Sequence, residues 1–369
     1  MQLNCGIVGL PNVGKSTIFS ALTAAPAGVE NYPFCTIDPN VGIVNVPDKR
    51  LKKITEIIKP KEEIHTTVEF VDIAGLVKGA SKGEGLGNKF LANIREVGAI
   101  VHVVRCFEND NVVHVDGKIN PVNDIETIET ELALADLEVV NRRKETIAKQ
   151  LRSHDKKIAE QAKIAEPVLE ELTDVLDKGL PARSLDLQSE QLNAIKELSL
   201  ITLKKQIYCC NVDEDAISEE NEHVKKVREI AEKNDSEVVV ISGKLESEIA
   251  ELESPEEKAE FLKEAGLDES GLDKLIKTGY SILGLETFFT AGEKETRAWT
   301  FKKGSTAPEA AGVIHTDFEK GFIRAEVYRC DDLFELGSEQ KIRESGKLRI
   351  EGKDYIVKDG DVMHFRFNV

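Results

Sequence analysis

The segment Gly9–Thr17, GLPNVGKST, constrains this chain more than any other part of its sequence. It matches the phosphate-loop pattern G-x-x-x-x-G-K-[ST], and the flanking residues predict the strand before it and the helix after it that the motif requires. The backbone N–H groups of such a loop surround a phosphate, Lys15 reaches its outer oxygens, and Ser16 binds a magnesium ion. Lys15 is therefore also a predicted catalytic residue. The predicted phosphate-binding residues are Asn12, Val13, Gly14, Lys15, Ser16 and Thr17.

Six short, β-branched apolar runs predict a mostly parallel sheet with helices on both faces, since helical patterns and loops separate most of them. These runs are Leu3–Leu10, Val41–Val46, Thr67–Asp72, Ile100–Arg105, Gln206–Cys210 and Glu237–Ser242. The expected fold class is thus α/β, with the phosphate loop between the first strand and the first helix.

Two further regions interrupt or follow this sheet pattern. From Ile125 the apolar residues repeat at three and four positions, which predicts an inserted helical hairpin whose second helix begins at Pro167. Residues 247–285 are expected to be helical, with breaks at Gly266, Gly271 and Gly279. Two strand patterns, a helix and further strands, YIVKDG among them, then predict a small mixed fold of β-grasp type.

The 369 residues have room for two or three domains. The patterns divide the chain into a sheet domain in two parts, 1–120 and 201–284, a helical insertion, 121–200, and a C-terminal domain, 285–369. No secretory signal pattern and no apolar run of about 20 residues is present, so we expect a cytoplasmic protein that does not span a membrane. The six cysteines are scattered without C-x-x-C spacing, which is typical of reduced thiols and predicts neither a disulfide framework nor a zinc site.

The net charge of −18 makes this chain a poor general binder of nucleic acid, because phosphate binding needs a positive surface. The charge is uneven, however. Between Asn141 and Lys163 the basic residues outnumber the acidic ones: Arg142, Arg143, Lys144, Lys149, Arg152, Lys156, Lys157 and Lys163 against Glu145, Asp155 and Glu160. This segment is either a solvated helix face or a contact surface for RNA or a ribosome.

Two segments after the phosphate loop are typical of nucleotide switches. In the loop NYPFCTIDPN, residues 31–40, Thr36 can reach both magnesium and the γ-phosphate; the alternative is an ordinary loop threonine. In VEFVDIAG the pattern D-x-x-G places Asp72 to hold magnesium through water and the Gly75 N–H to sense the γ-phosphate. Leu76 stands where related enzymes use glutamine to orient the attacking water. Either turnover is slow or another group does this, and His114 is the candidate, unless it is an exposed loop histidine.

The base-binding residues are expected in two turns that follow later strands. In GTP-binding proteins the first of these turns is N-K-x-D, whose aspartate pairs with guanine; here Val212 replaces the lysine and Glu214 the aspartate. Because adenine lacks the donors that this aspartate recognises, the change favours ATP, with Asn211 near the exocyclic amine. The alternative is an ordinary acidic turn. The second turn is ISGK, with Ser242, Gly243 and Lys244.

Together these motifs closely resemble the YchF, or Obg-like ATPase, family over essentially the whole chain. The resemblance rests on GLPNVGKST, NYPFCTIDPN, VDIAGLVKGASKGEGLGN, RCFENDN, ELALADLE, the NVDE turn and DGDVMHFRFNV. It implies a P-loop NTPase G domain, an inserted helical coiled coil and a C-terminal TGS domain of ubiquitin-like β-grasp fold. It also implies ATP preferred over weakly bound GTP, slow magnesium-dependent hydrolysis and ribosome binding.

Other expectations follow from the same resemblance. The family has leucine at the position of Leu76 and a histidine at that of His114, which supports a water-positioning role. Asn12 resembles the asparagine of potassium-dependent relatives, so K⁺ activation is a hypothesis. The basic insertion and the TGS domain are the expected RNA contacts of a monomer. We therefore predict a slowly hydrolysing ATP switch; the alternatives are a GTPase of the same fold, or a ribosome- or RNA-binding regulator without useful turnover.

Overall fold

The structure is a computed structural model that describes residues 3–24, 40–73, 86–109 and 119–368, the side chains of 86–89 excepted. Contacts divide the described residues into two compact units. The first comprises residues 3–24, 40–42 and those described between 69 and 275; the second comprises 43–68 and 276–368. The sequence did not predict that 43–68 would group with the C-terminal part. The four-part division of the sequence stays a prediction.

A six-stranded sheet of order β2-β4-β1-β5-β6-β7 underlies the phosphate loop. Its strands are β1 (Asn4–Val8), β2 (Val41–Asn45), β4 (Thr67–Asp72), β5 (Ala99–Arg105), β6 (Gln206–Asn211) and β7 (Glu237–Ile241), while β3 (Glu62–Ile64) lies elsewhere. Each neighbouring pair from β4 to β7 is parallel, as predicted. All residues of β5 and β6 are buried, which explains their continuous apolar character. Parallel pairing brings the carboxyl ends of these strands to one edge of the sheet.

The inserted helices form a hairpin, but its turn lies elsewhere than predicted. Helix α4 is Pro121–Gln150 and α5 is Lys156–Asp177, and the two pack against each other along their lengths. The prediction that the second helix begins at Pro167 was wrong, because Pro167 lies inside α5. The helix begins earlier because the Asp155 carboxylate caps it, accepting from the backbone N–H groups of Lys157 and Ile158. Pro167 is exposed there, so its missing N–H costs only one hydrogen bond.

The first unit contains further helices. They are α1 (Lys15–Thr23), α3 (Leu86–Arg95), α6 (Ser189–Ile195), α7 (Glu222–Lys233), α8 (Gly243–Glu251) and α9 (Pro255–Glu264); α10 (Gly271–Ile282) begins here and continues past residue 275. Gly279 was wrongly predicted as a break, because it lies within α10. No helix in the described ranges is both long and apolar enough to cross a membrane. Five cysteines are described, and all are buried free thiols.

The second unit is a mixed sheet of order β11-β10-β12-β8-β9-β3 with helices packed on it. Its elements are α2 (Lys49–Ile58), β3, β8 (Leu285–Thr290), β9 (Glu295–Lys302), α11 (Ala307–Ile314), α12 (Thr316–Lys320), β10 (Phe322–Arg329), α13 (Cys330–Leu336), α14 (Glu339–Glu344), β11 (Arg349–Glu351) and β12 (Asp361–Phe367). The β8–β9 hairpin and the helix that follows it agree with the predicted order of strands and helix, and β8 also pairs in parallel with β12. The segment YIVKDG was wrongly predicted as a strand, since it forms only an isolated bridge, Thr306 to Ile356. Leu51 and Ile54 of α2 join the core of this unit.

Candidate nucleotide-binding site

The phosphate loop connects β1 to α1 through backbone conformations that require glycine. Gly14 caps α1 with φ of 91°, and a Cβ there would overlap the side-chain nitrogen of Asn211. A Cβ on Gly9 would lie 2.8 Å from the carbonyl oxygen of Val103. Both glycines of the motif are therefore needed for close packing of the loop as well as for phosphate access. Ser16 and Thr17 are exposed in the first turn of α1.

Lys15 and Asp72, which the sequence separates by 57 positions, are in contact. Asp72 is the last residue of β4, and parallel pairing places it beside Ile7 of β1, close to the loop. The Lys15 ammonium group donates to Oδ1 of Asp72, and the two side chains are 11% and 21% exposed. The carboxylate is thus presented to a cation beside the phosphate loop. With the exposed Ser16 hydroxyl it forms the kind of oxygen-donor set that Mg²⁺ prefers, so these residues fit the predicted metal.

Four residues of the predicted site lie outside the described ranges. They are Thr36, Gly75, Leu76 and His114. Their predicted roles at the metal, the γ-phosphate and the attacking water therefore stay predictions.

Asn211, the last residue of β6, connects two loops through its side chain. Its side-chain Nδ2 donates to the carbonyl oxygen of Val13 at 3.0 Å, and its Oδ1 accepts from the backbone N–H of Gly243 at 2.9 Å. The side chain is buried, so these bonds are shielded from water. A carboxamide has two donor hydrogens and two acceptor lone pairs, so a base contact would use the remaining ones. Asn211 therefore joins the phosphate loop to the ISGK turn, a role that the sequence did not predict.

A cavity of about 890 Å³ extends from the phosphate loop to these turns. It brings together nine predicted residues: Asn12, Gly14, Thr17, Asn211, Val212, Glu214, Ser242, Gly243 and Lys244. Seven lining residues were missed: Phe107, Asn109, Asp213, Asp215, Ser247, Glu248 and Glu251. A signal existed for some of them, since Gly243, Ser247 and Glu251 recur every four positions and so share one face of α8.

The two ends of the cavity differ in charge. Five carboxylates line the end away from the phosphate loop: Asp213, Glu214, Asp215, Glu248 and Glu251. The single lysine there, Lys244, lies 2.7 Å from Oε1 of Glu214, and this hydrogen bond raises the pKa of Lys244. Of the phosphate loop, Asn12, Gly14 and Thr17 line the cavity, whereas Val13, Lys15 and Ser16 do not. Because an acidic wall repels phosphate, phosphate groups are favoured at the end formed by this loop.

Comparison with known proteins identifies the family of this chain. It is 56% identical over 371 residues to the protein named "Ribosome-binding ATPase YchF" of Bacillus subtilis, and each chain is covered completely. Proteins of the same name from Haemophilus influenzae and Escherichia coli O157:H7 are 57% and 56% identical over 369 residues, again with complete coverage. This chain belongs to the YchF family.

Family models and a solved structure agree with this membership. The model described as "50S ribosome-binding GTPase" matches residues 4–144, and the YchF-GTPase C-terminal model, described as "Protein of unknown function (DUF933)", matches 285–368. The structure of the Schizosaccharomyces pombe YchF GTPase superimposes with a TM-score of 0.88 at 37% identity, covering 99% of this chain and 98% of that one. The predicted fold, a P-loop domain with a separate C-terminal domain, is confirmed. The relatives' names differ on the nucleotide, since the bacterial YchF proteins are called ATPases and the yeast one a GTPase.

A buried carboxylate supports the α8 wall of this YchF cavity. Glu246 of α8 is 2% exposed, and its Oε1 accepts from the backbone N–H of Gly271 at 2.7 Å, at the start of α10. Its Oε2 has no hydrogen-bond partner among the described residues. Burial, the dominant cause, raises the pKa of Glu246 to about 6, against the opposing effect of the Gly271 and Leu272 N–H groups. Above this pH the fold therefore holds a charged, buried Glu246 carboxylate, which lowers the free energy of unfolding.

This pKa predicts a pH-dependent stability. Below the unfolded value of about 4.5 the carboxyl group is neutral in both states, and its contribution to stability is fully present; it is lost as pH rises through about 6. Relative to Glu246→Gln, the YchF chain should gain about 1.5 kcal/mol of unfolding free energy between pH 7 and pH 4.5. Urea unfolding of both proteins across this range measures the difference in their unfolding free energies. Because both proteins contain the same other titratable groups, the contributions of those groups cancel. A difference independent of pH would show that Glu246 ionises normally.

Proposed function

We propose that this chain is a magnesium-dependent ATPase that binds ribosomes and whose bound nucleotide controls that binding. The observation that carries the proposal is a cavity that extends from Asn12, Gly14 and Thr17 of the phosphate loop to the turn in which Glu214 replaces the guanine-pairing aspartate. The names of the bacterial relatives support both ATP hydrolysis and ribosome binding. Fold membership alone supports only nucleotide binding.

Competitive binding decides between ATP and GTP. Glu214 stands at the position of the guanine-pairing aspartate, and its pairing with Lys244 makes it unavailable to the guanine N1–H and 2-amino groups. A site that leaves these two donors unpaired should bind GTP at least roughly tenfold more weakly than ATP. Displacement of a fluorescent nucleotide by either triphosphate, in Mg²⁺, measures the ratio. Tighter binding of GTP by tenfold or more would instead identify a GTPase of the same fold.

In the proposed reaction, the loop amides and Lys15 hold the triphosphate in line with water. Lys15 leaves Asp72 for the outer phosphate oxygens, which frees the carboxylate. Asp72, Ser16 and Thr36 would then hold Mg²⁺, which would supply neutralisation of the triphosphate charge. The Gly75 N–H reports the γ-phosphate, and His114 orients the attacking water because Leu76 cannot. Phosphate release measured with and without ribosomes distinguishes this enzyme from a regulator without useful turnover.

We also propose K⁺ activation through Asn12, and a cytoplasmic monomer whose residues 285–369 form a TGS domain. Asn12 lines the cavity in a left-handed conformation, with φ of 64°, at the loop that holds the phosphates. Turnover in K⁺ compared with Na⁺ tests this role, and equal rates would reject it. For the other segments we propose the limits that the sequence patterns predict: 1–120 and 201–284 for the sheet domain and 121–200 for the helical insertion.

The proposed ribosome contact includes the turn of the α4–α5 hairpin. Three basic residues of this segment are ion-paired: Arg142 with Glu138, Arg143 with Glu197 and Lys144 with Glu170, at 3.3, 2.8 and 2.8 Å. The other five are exposed, with no carboxylate at ion-pair distance in the described ranges: Lys149, Arg152, Lys156, Lys157 and Lys163. In a chain of net charge −18, this concentration of unpaired cations favours phosphate binding over an ordinary solvated face.

Charge reversal at this turn should weaken ribosome binding. The variant Lys149→Glu, Arg152→Glu, Lys156→Glu should lose roughly tenfold or more in affinity at about 0.1 M salt and lower the salt-dependence slope by about two to three, since each cation contacts about one phosphate. Co-sedimentation with ribosomes over a salt series measures both. The matched control reverses three exposed lysines on other helices, Lys226, Lys233 and Lys263. Equal losses in both variants would show a general charge effect instead of a contact.

A further inference from the structure

Arg105 combines an almost complete burial with a position beside the cavity. It is the last residue of β5, and its side chain is the largest among those that are fully buried. A buried guanidinium group is stable only where acceptors replace its water. Here Nε donates to the carbonyl oxygen of Phe107 and Nη2 to that of Asn109, both at 3.2 Å. The chain that follows β5 thus folds back over its own arginine.

The same arginine contacts the Phe107 ring. Its guanidinium carbon lies 4.6 Å from the ring centroid, a distance at which a cation is attracted to the aromatic face. Phe107 is half-buried and borders the cavity, as does Asn109. A planar aromatic side chain at a cavity wall offers a stacking surface to a planar base.

Neighbouring side chains hold the rest of this segment. The Asn221 side chain donates to the carbonyl oxygen of Cys106 at 2.7 Å, and the backbone N–H of Glu108 donates to Oδ2 of Asp213 at 3.2 Å. Asp213 is itself a cavity residue in the turn after β6. Arg105, Asn221 and Asp213 therefore all form hydrogen bonds with the segment 106–109. Of these three residues, Arg105 is the one that is also recorded in contact with the Phe107 ring.

We propose that Arg105 is a positioning residue that holds Phe107 and Asn109 at the base end of the cavity and thereby sets the affinity for the adenine ring. This inference rests on the proposed ATP site. The phosphates bind at the opposite end, to the loop and Lys15, so Arg105 contributes to base binding and not to phosphate binding. Stacking of one base on an aromatic side chain is worth roughly five- to 150-fold in affinity.

The test compares two ligands whose difference is the nucleoside. Calorimetry in Mg²⁺ gives the affinity of each protein for ATP and for inorganic tripolyphosphate, which occupies only the phosphate loop. Arg105→Gln should weaken ATP roughly tenfold and leave tripolyphosphate unchanged. Phe107→Ala should do the same, and the double variant should lose little more than either, because both act on one contact. Arg105→Lys, which keeps the charge but not the paired donors, should lie between.

Each outcome has one meaning. An unchanged ATP affinity in Arg105→Gln, an equal loss for both ligands, or additive losses in the double variant would overturn the proposal. Arg183→Gln is the control for losing a mostly buried arginine, since Arg183 is 12% exposed, pairs with Glu129 at 2.5 Å and does not line the cavity. If Arg105→Gln does not fold, Arg105→Lys and Phe107→Ala give the same comparison. Wild-type protein that binds tripolyphosphate but not ATP would contradict the proposed function instead.

Discussion

Replacing Lys15 with alanine should lower ATP turnover by about a hundredfold or more. The ammonium group is the cation that the sequence places at the phosphate loop, and the structure holds it beside Asp72 at the end of β4. Loss of one group that stabilises transition-state charge typically costs 10²- to 10³-fold, and a phosphoryl group concentrates more charge than most substrates. Phosphate release at saturating Mg-ATP, with and without ribosomes, measures the loss.

Two comparisons make this result specific. Lys233→Ala removes the same charge from an exposed position at the end of α7 and should leave turnover within about twofold of wild type. The Lys15 variant should also unfold at nearly the wild-type urea concentration, because Asp72 keeps partial access to water when its partner is lost. Turnover above half of the wild-type rate in Lys15→Ala would mean that hydrolysis occurs at another site.

The features that the sequence predicted correctly are those set by short stretches of chain. Buried parallel strands need largely apolar runs, so β5 and β6 were predicted almost to the residue. The phosphate loop was recognisable because its turn leaves no room for a side chain at Gly9 or Gly14. In both cases the physical constraint acts within the same few consecutive residues that form the sequence pattern.

The features that the sequence did not predict depend on which distant segments meet. The amphipathic pattern of α2 is compatible with any apolar partner, and only the folded chain shows that Leu51 and Ile54 pack in the C-terminal unit. Phe107 follows β5 and Glu248 lies on α8 after β7, and both become cavity residues because the strand order brings the carboxyl ends of these strands together. The hairpin turn was misplaced because Pro167 is a conspicuous helix breaker, whereas the start of α5 depends on hydrogen bonds to the Asp155 carboxylate that only the folded chain shows.

Replacing Asp136 with alanine should lower the free energy of unfolding by about 3–5 kcal/mol. Asp136 of α4 is fully buried, and its Oδ1 accepts from the backbone N–H of Ile201 at 3.0 Å and from Arg95 at 3.2 Å. Its Oδ2 accepts from the backbone N–H and the hydroxyl of Thr202, at 2.7 and 2.8 Å. Alanine leaves two buried backbone N–H groups and the buried Thr202 hydroxyl without this acceptor, and it removes one acceptor of Arg95, which is 24% exposed and keeps the carbonyl oxygens of Ala135 and Ser199. Urea unfolding followed by circular dichroism measures the change.

The size of this effect follows from burial, and the neighbouring Glu138 provides the contrast. Glu138 lies two residues further along α4, is 60% exposed and pairs with Arg142 at 3.3 Å. An exposed pair of this kind is worth little, so Glu138→Ala should change the unfolding free energy by less than about 0.5 kcal/mol. Arg95 ends α3, so Asp136 ties α3, the hairpin and the turn at 201–203 together, and its loss should loosen the hairpin from the sheet first. A cost below about 1 kcal/mol for Asp136→Ala would mean that water replaces the carboxylate and that this cluster does not anchor the hairpin.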